Sequence, residues 1–99
     1  MYKVLLIEDD SRIREIVTTY FQKREIIVDE AMDGYTGLSM INESYHVILL
    51  DIMMPGINGI EVCKQIRTQY NIPIVFISAL SEEEIQLEAY QIGADDYIA

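Results

Sequence analysis

The chain has 99 residues, 17 acidic against 7 basic side chains, a formal net charge of −10 and 51% hydrophobic residues. That length bounds it to one domain, and the apolar share excludes a disordered chain because it suffices to build a core. The negative surface repels phosphate backbones and anionic membranes, and one cysteine (Cys63) with one histidine (His46) excludes intrachain disulfides and Cys/His zinc cages, so a reducing, cytoplasmic setting is expected.

The first apolar run, Val4-Leu5-Leu6-Ile7, lacks polar alternation and reads as a strand covered on both faces, as in a parallel sheet. Ile13, Ile16, Val17, Tyr20 and Phe21 then follow the i, i+3, i+4, i+7, i+8 template of a helix, with Asp10 or Ser11 placed to cap it. A strand over residues 26–30 leads to a weaker helix over 35–43 that directs Tyr35, Leu38 and Ile41 inward, although Gly34 and Gly37 count against it. Val47-Ile48-Leu49-Leu50 is the third strand. A third helix over 58–69, capped by Asn58, buries Val62, Cys63, Ile66 and Tyr70.

Ile74-Val75-Phe76-Ile77 is the fourth strand. Ser81-Glu82-Glu83-Glu84 opens a fourth helix with a capping-box pattern, which ends near Gly93 with Ile85, Ala89 and Ile92 on one face. A fifth strand begins near Asp96 or Tyr97. No apolar run exceeds four residues, too few for a signal-peptide core or a membrane span. Strict β-α alternation implies an α/β fold, a parallel sheet with helices on both faces, and function in such sheets sits beyond the carboxyl ends of the strands.

Those ends are acidic. The first strand runs into Glu8-Asp9-Asp10 and the third into Asp51, followed by Ile52-Met53-Met54-Pro55-Gly56. If the two strands are neighbours, the carboxylates meet, and two such charges near 4 Å repel by about 4 kcal/mol at an effective dielectric of about 20. Protons or a cation must offset this. An all-oxygen donor set favours a hard divalent ion, and a few carboxylates with water and a phosphate oxygen is the magnesium pattern. The competing reading makes Glu8, Asp9 and Asp10 an acidic helix N-terminus. It suits Asp10 best; for Glu8 and Asp9, at the end of a buried strand, the two readings stand level on spacing alone, and capping cannot explain Asp51.

Ser78, after the fourth strand, adds a hydroxyl to the same rim; a solvated loop serine is its plainer reading. A hydroxyl facing three carboxylates makes sense if a phosphoryl group sits between them, with Asp51 as the nucleophile. Cys63 belongs to the core, His46 to the opposite rim in a structural or surface role, and Met53-Met54 to loop packing; Pro55-Gly56 is a turn.

The motifs Val4-Leu5-Leu6-Ile7-Glu8-Asp9-Asp10, Leu49-Leu50-Asp51-Ile52-Met53-Met54-Pro55-Gly56-Ile57-Asn58-Gly59, Ile77-Ser78-Ala79 and Gly93-Ala94-Asp95-Asp96-Tyr97-Ile98 occur in the order and spacing of one family. Across its whole length the chain closely resembles the receiver domain of two-component response regulators, most of all the OmpR/PhoB-type transcriptional regulators. That resemblance implies a doubly wound, flavodoxin-like five-stranded sheet of order 2-1-3-4-5, for which the chemotaxis receiver is a standing example. It makes the first and third strands neighbours, the adjacency the acidic cluster needs.

The resemblance further implies that Asp51 accepts a phosphoryl group from the histidine of a sensor kinase. Asp9 and the backbone carbonyl of Met53 would hold magnesium directly, and Glu8 directly or through water. Ser78 would bind a phosphoryl oxygen, and Tyr97 would swing inward as the switch aromatic. Residues 1–99 would form the phosphoacceptor domain, incomplete at its C-terminus: the family's lysine followed by proline, and its last helix, fall beyond Ala99. A homodimer through the face of the fourth helix and fifth strand is the implied assembly.

Two other functions compete with this regulatory, non-enzymatic reading. A phosphatase of the haloacid dehalogenase type also phosphorylates an aspartate over magnesium, but it needs a second aspartate two residues later, where this chain has Met53. A phosphorylation-independent interaction module would keep the fold and has no need of the acids. P-loop nucleotide binding finds no support, since no G-x-x-x-x-G-K-[ST] occurs.

Overall fold

In a computed structural model, which describes residues 1–77 and 96–98, the chain alternates strands and helices: β1 (Lys3–Ile7), α1 (Ser11–Gln22), β2 (Ile27–Ala31), α2 (Gly34–Met40), β3 (Val47–Asp51), α3 (Gly59–Arg67), β4 (Ile74–Ile77) and β5 (Asp96–Ile98). All pairings are parallel, in the order β2-β1-β3-β4-β5. The doubly wound expectation therefore holds. The expected fourth helix, from Ser81 to Gly93, lies outside the described residues, and among the described residues no helix is long and apolar enough to cross a membrane.

The apolar runs lack alternation because both sheet faces are covered. On one face Leu5, Ile7, Ile48, Leu50, Ile74 and Phe76 form the larger core with Val62, Cys63 and Ile66 of α3 and with Leu38 of α2. On the other, Val4, Leu6 and Leu49 pack with Val17 and Phe21 of α1. β1, β3 and β4 thus send alternate side chains to the two faces of the sheet.

The helix ends obey local chemistry. Asp10 caps α1 through its Oδ1, which accepts the Arg12 N–H at 2.9 Å; Asp33 accepts the Thr36 N–H at 2.7 Å to cap α2; Asn58 accepts the Glu61 N–H at 3.0 Å to cap α3. The capping role read for Asp10 and Asn58 is therefore observed. The second helix stops at Met40, three residues short of expectation. There the Asn42 side chain accepts the Ser44 N–H at 2.8 Å, a local turn that competes with helix continuation. Gly34 and Gly37 are both buried, and a Cβ on either would run into Ile57 and Val62 or into Ile7, so these residues let α2 approach the core.

Two inward faces differ from expectation. In α1 only Val17 and Phe21 of the predicted stripe meet the core, whereas Ile16 is 68% exposed and Ile13 and Tyr20 are also exposed. The helix is rotated so that Arg14, Val17 and Phe21 face the sheet, which carries Ile13, Tyr20 and Ile16 about 75° to 135° round the axis. The reason is polar: Arg14 bonds to groups at the strand ends, as described below. In α2 Tyr35 is 66% exposed, while Leu38 and, just past the helix end, Ile41 pack inward as predicted. The α3 stripe of Val62, Cys63 and Ile66 is buried, with Tyr70 packed beside it, and Cys63 is a core residue.

At the amino ends of the strands, His46 is exposed and its Nδ1 accepts the backbone N–H of Lys3 at 3.0 Å, the structural role expected for it. Beside it the Tyr45 hydroxyl donates to Asp29 at 2.7 Å, with Lys3 Nζ 3.7 Å from the same carboxylate.

Candidate functional site

Register builds the site. Ile7 of β1 pairs with Leu50 of β3, so Glu8 and Asp51, each the next residue, leave neighbouring strands side by side. The backbone N–H of Glu8 also donates to Ala31 O at 3.0 Å, which ties this end of β1 to β2. The result is that oxygens of Glu8, Asp9 and Asp51 lie within 4.8 Å of one another. Glu8 is 3% exposed, Asp51 is partly buried and Asp9 is exposed, so the cluster runs from the protein interior to solvent.

The electrostatics show the strain of that arrangement. Burial first, and then the charge of Glu8 and hydrogen bonds with Glu8 and Asp9, push the Asp51 carboxyl up to about 8. Glu8 is also raised, by burial above all, although its hydrogen bond with Asp51 pulls it back. A proton shared between Asp51 and Glu8 would relieve the repulsion. A hard cation does the same for an all-oxygen donor set. Asp10 has turned away to pair with Arg12, whose hydrogen bonds hold its carboxyl below the usual range.

The loop after β3 is shaped to present Asp51. The Gly59 N–H donates to Ile52 O at 2.8 Å, and a Cβ on Gly59 would overlap the backbone carbonyl of Asp51. Gly56 adopts φ +80°, the left-handed conformation that suits the Pro55-Gly56 turn. The two methionines expected to pack the loop behave differently: Met54 is buried, but Met53 is 63% exposed because its side chain points away from the core that Met54 joins.

The structure thus brings together Glu8, Asp9 and Asp51. Met53 lies two residues beyond Asp51 on the same rim. Ser78 is outside the described residues, although Ile77 before it pairs with Asp51. Tyr97 lies in β5, its backbone in register with Phe76. Sequence reading missed Arg14, whose guanidinium donates to Glu8 O at 2.7 Å. The available signal was a charged residue in register with Val17 and Phe21 on one helix face.

The model of the response regulator receiver domain matches residues 4–99. The chain is 39% identical over 97 residues to the transcriptional regulatory protein ResD of Bacillus subtilis, covering 97% of this chain and 40% of ResD. It therefore spans about two fifths of the length of the curated relatives it matches. The receiver domain of the Francisella response regulator 1452 superposes with a TM-score of 0.91 at 38% identity, covering 98% of this chain and 82% of that one. The response regulator TrrA of Thermotoga maritima, solved in complex with Mg2+-BeF, gives 0.87 at 31% identity over 100% of this chain and 86% of that one. With its acidic strand ends, its sheet order and these relatives, the chain belongs to the response regulator receiver domain family, and the relatives it matches are OmpR/PhoB-type transcriptional regulators.

Proposed function

We propose that this domain is a phosphorylation-driven switch that takes a phosphoryl group on Asp51 from the histidine of a sensor kinase and controls a transcriptional output. The observation that carries the reading is the meeting of Glu8, Asp9 and Asp51 within 4.8 Å at the ends of adjacent strands. Simple solubility does not require three acids there, one of them 3% exposed. The donor set fits magnesium: Glu8 and Asp9, with Asp51 and the backbone carbonyl of Met53, would hold the ion, and a relative solved with Mg2+-BeF supports this. When bound, magnesium supplies positive charge that neutralises a phosphoryl group.

The residues have distinct parts. Asp51 must first give up the proton that its surroundings favour. An ionised Asp51 oxygen then attacks phosphorus; the new O–P bond forms as the P–N bond of the phosphohistidine breaks, and the imidazole leaves with a proton taken up from solvent. Glu8, buried and fixed at the strand end, keeps negative charge behind Asp51 and orients it. Ser78 would bond a phosphoryl oxygen, and Tyr97 would follow it inward to alter the face around β5, biasing a two-state equilibrium that a kinase, an output domain or a second copy reads.

Incubation with magnesium and a small phosphodonor such as acetyl phosphate tests the reading by intact-mass spectrometry. In a chain extended to include the lysine that the family carries after the Tyr97 position, one phosphoryl mass is expected on the wild type and none on Asp51→Asn; an adduct that persists in Asp51→Asn, or no adduct on the extended wild type, overturns it.

A further inference from the structure

We infer that Arg14 is a positioning residue for the metal-binding acids: it fixes the peptide that joins Glu8 to Asp9. The inference rests on the reading of that cluster as a magnesium site. Arg14 lies on α1, about one turn in from the cap, with its side chain 18% exposed. One guanidinium nitrogen donates to the backbone carbonyl of Glu8 at 2.7 Å, and Nε lies 3.5 Å from the Glu30 carboxylate near the end of β2.

That carbonyl is special by position. The β1–β3 ladder ends at Ile7 and Leu50, so Glu8 O lies past the last strand pair and takes its partner from a helix instead. The Glu8 N–H is already held by Ala31 O at 3.0 Å. Both peptide planes at Glu8 are therefore pinned, one to β2 and one to α1. Because a peptide unit is planar, fixing its carbonyl also fixes the direction in which Asp9 leaves it. The buried Glu8 and the exposed Asp9 are adjacent residues whose carboxylates must converge on one point, and the rotation of that single plane governs whether they do.

Arg14 suits this work because its planar fork reaches two acceptors at once, whereas a lysine offers a point charge to one. The contact also accounts for the rotation of α1, which turns Arg14 inward and leaves Ile16 exposed. Partners that orient metal ligands without touching the metal commonly change metal affinity by tenfold or more when removed.

The test is magnesium titration by calorimetry of the wild type, Arg14→Met, Arg14→Lys and Phe21→Ala, with thermal unfolding of each in EDTA. Phe21→Ala serves as a control that weakens the packing of α1 without touching the Glu8 carbonyl. The expected result is a magnesium Kd raised about tenfold in Arg14→Met, an intermediate value in Arg14→Lys, and a Kd near the wild type in Phe21→Ala despite its lower Tm. A wild-type Kd in Arg14→Met, or an equal rise in Phe21→Ala, overturns the inference while leaving the metal site intact. Should Arg14→Met fail to fold, Arg14→Lys carries the comparison, and a wild-type Kd there overturns it. Absence of magnesium binding by the wild type instead overturns the reading of the site itself.

Discussion

Gly59 and Asp51 touch backbone to backbone: the α carbon of the first residue of α3 packs on the carbonyl of the last residue of β3, with no room for a Cβ between them. The start of α3 is thereby held against Asp51, the proposed phosphoacceptor. In Gly59→Ala either the helix or Asp51 must move, and since both contacting atoms are backbone neither yields cheaply. The expected loss is about 2 kcal/mol, or about 10 °C in Tm, with slower phosphorylation of Asp51 than in a surface control such as Lys64→Ala. Thermal unfolding and the mass-spectrometric time course check both parts.

The raised Asp51 carboxyl predicts how stability depends on pH. Asp51 is raised from 3.8 to about 8, so between those values the folded protein holds a proton that the unfolded chain has lost. In EDTA, the Asp51 contribution is fully present below about pH 3.8, weakens as pH rises and is gone above about pH 8; Glu8, shifted in the same direction, adds to the trend. Magnesium must displace that proton, so its apparent affinity should rise with pH by up to about tenfold per unit and level off above about pH 8. Asp51→Asn removes the titrating group, so its Tm in EDTA should exceed that of the wild type near pH 8. Denaturation across pH with and without magnesium checks this, and a pH-independent magnesium Kd would contradict it.

At the opposite end of the sheet, the Tyr45 hydroxyl donates to Asp29, and burial above all, with that bond, pushes the phenol up to about 12. Tyr45→Phe keeps the ring and removes the bond, leaving a part-buried carboxylate with Lys3 as its remaining partner. A loss of about 1 kcal/mol is expected, with magnesium affinity unchanged because the residue lies at the other rim. Urea denaturation and the same titration separate the two.

The facing of α1 yields a paired prediction. Ile16→Ala, at a position 68% exposed, should change stability by no more than about 0.5 kcal/mol, whereas Phe21→Ala, packed beside Val4, Leu6 and Leu49, should cost about 2 kcal/mol. Comparable losses at the two positions would indicate that the helix docks through the stripe its hydrophobic residues suggest.

Local chemistry made much of this molecule readable before folding. Continuous apolar runs marked three of the strands because the middle of a doubly covered sheet has no polar face, and Asp10 and Asn58 marked helix starts because each helix start needs a side-chain acceptor for orphan amides. Residues 35–43 were harder. Gly34 and Gly37 look like helix breakers along the chain, yet they are buried where α2 crosses Ile7 and Val62, a close approach that exists only in three dimensions.

The same division runs through the site. Sequence alone singled out the candidate acids: carboxylates closing the first and third strands, with no cysteine or histidine among them, which would restrict a site built from them to protons and hard cations. Only the tertiary structure decided that these acids meet, because the pairing of β1 with β3 joins segments more than forty residues apart and burial then raises Asp51. Tertiary structure likewise decided that Arg14 turns inward and Ile16 outward. Hydrophobic periodicity cannot foresee this, since it weighs apolar surface and is blind to a strand-end carbonyl that needs a donor.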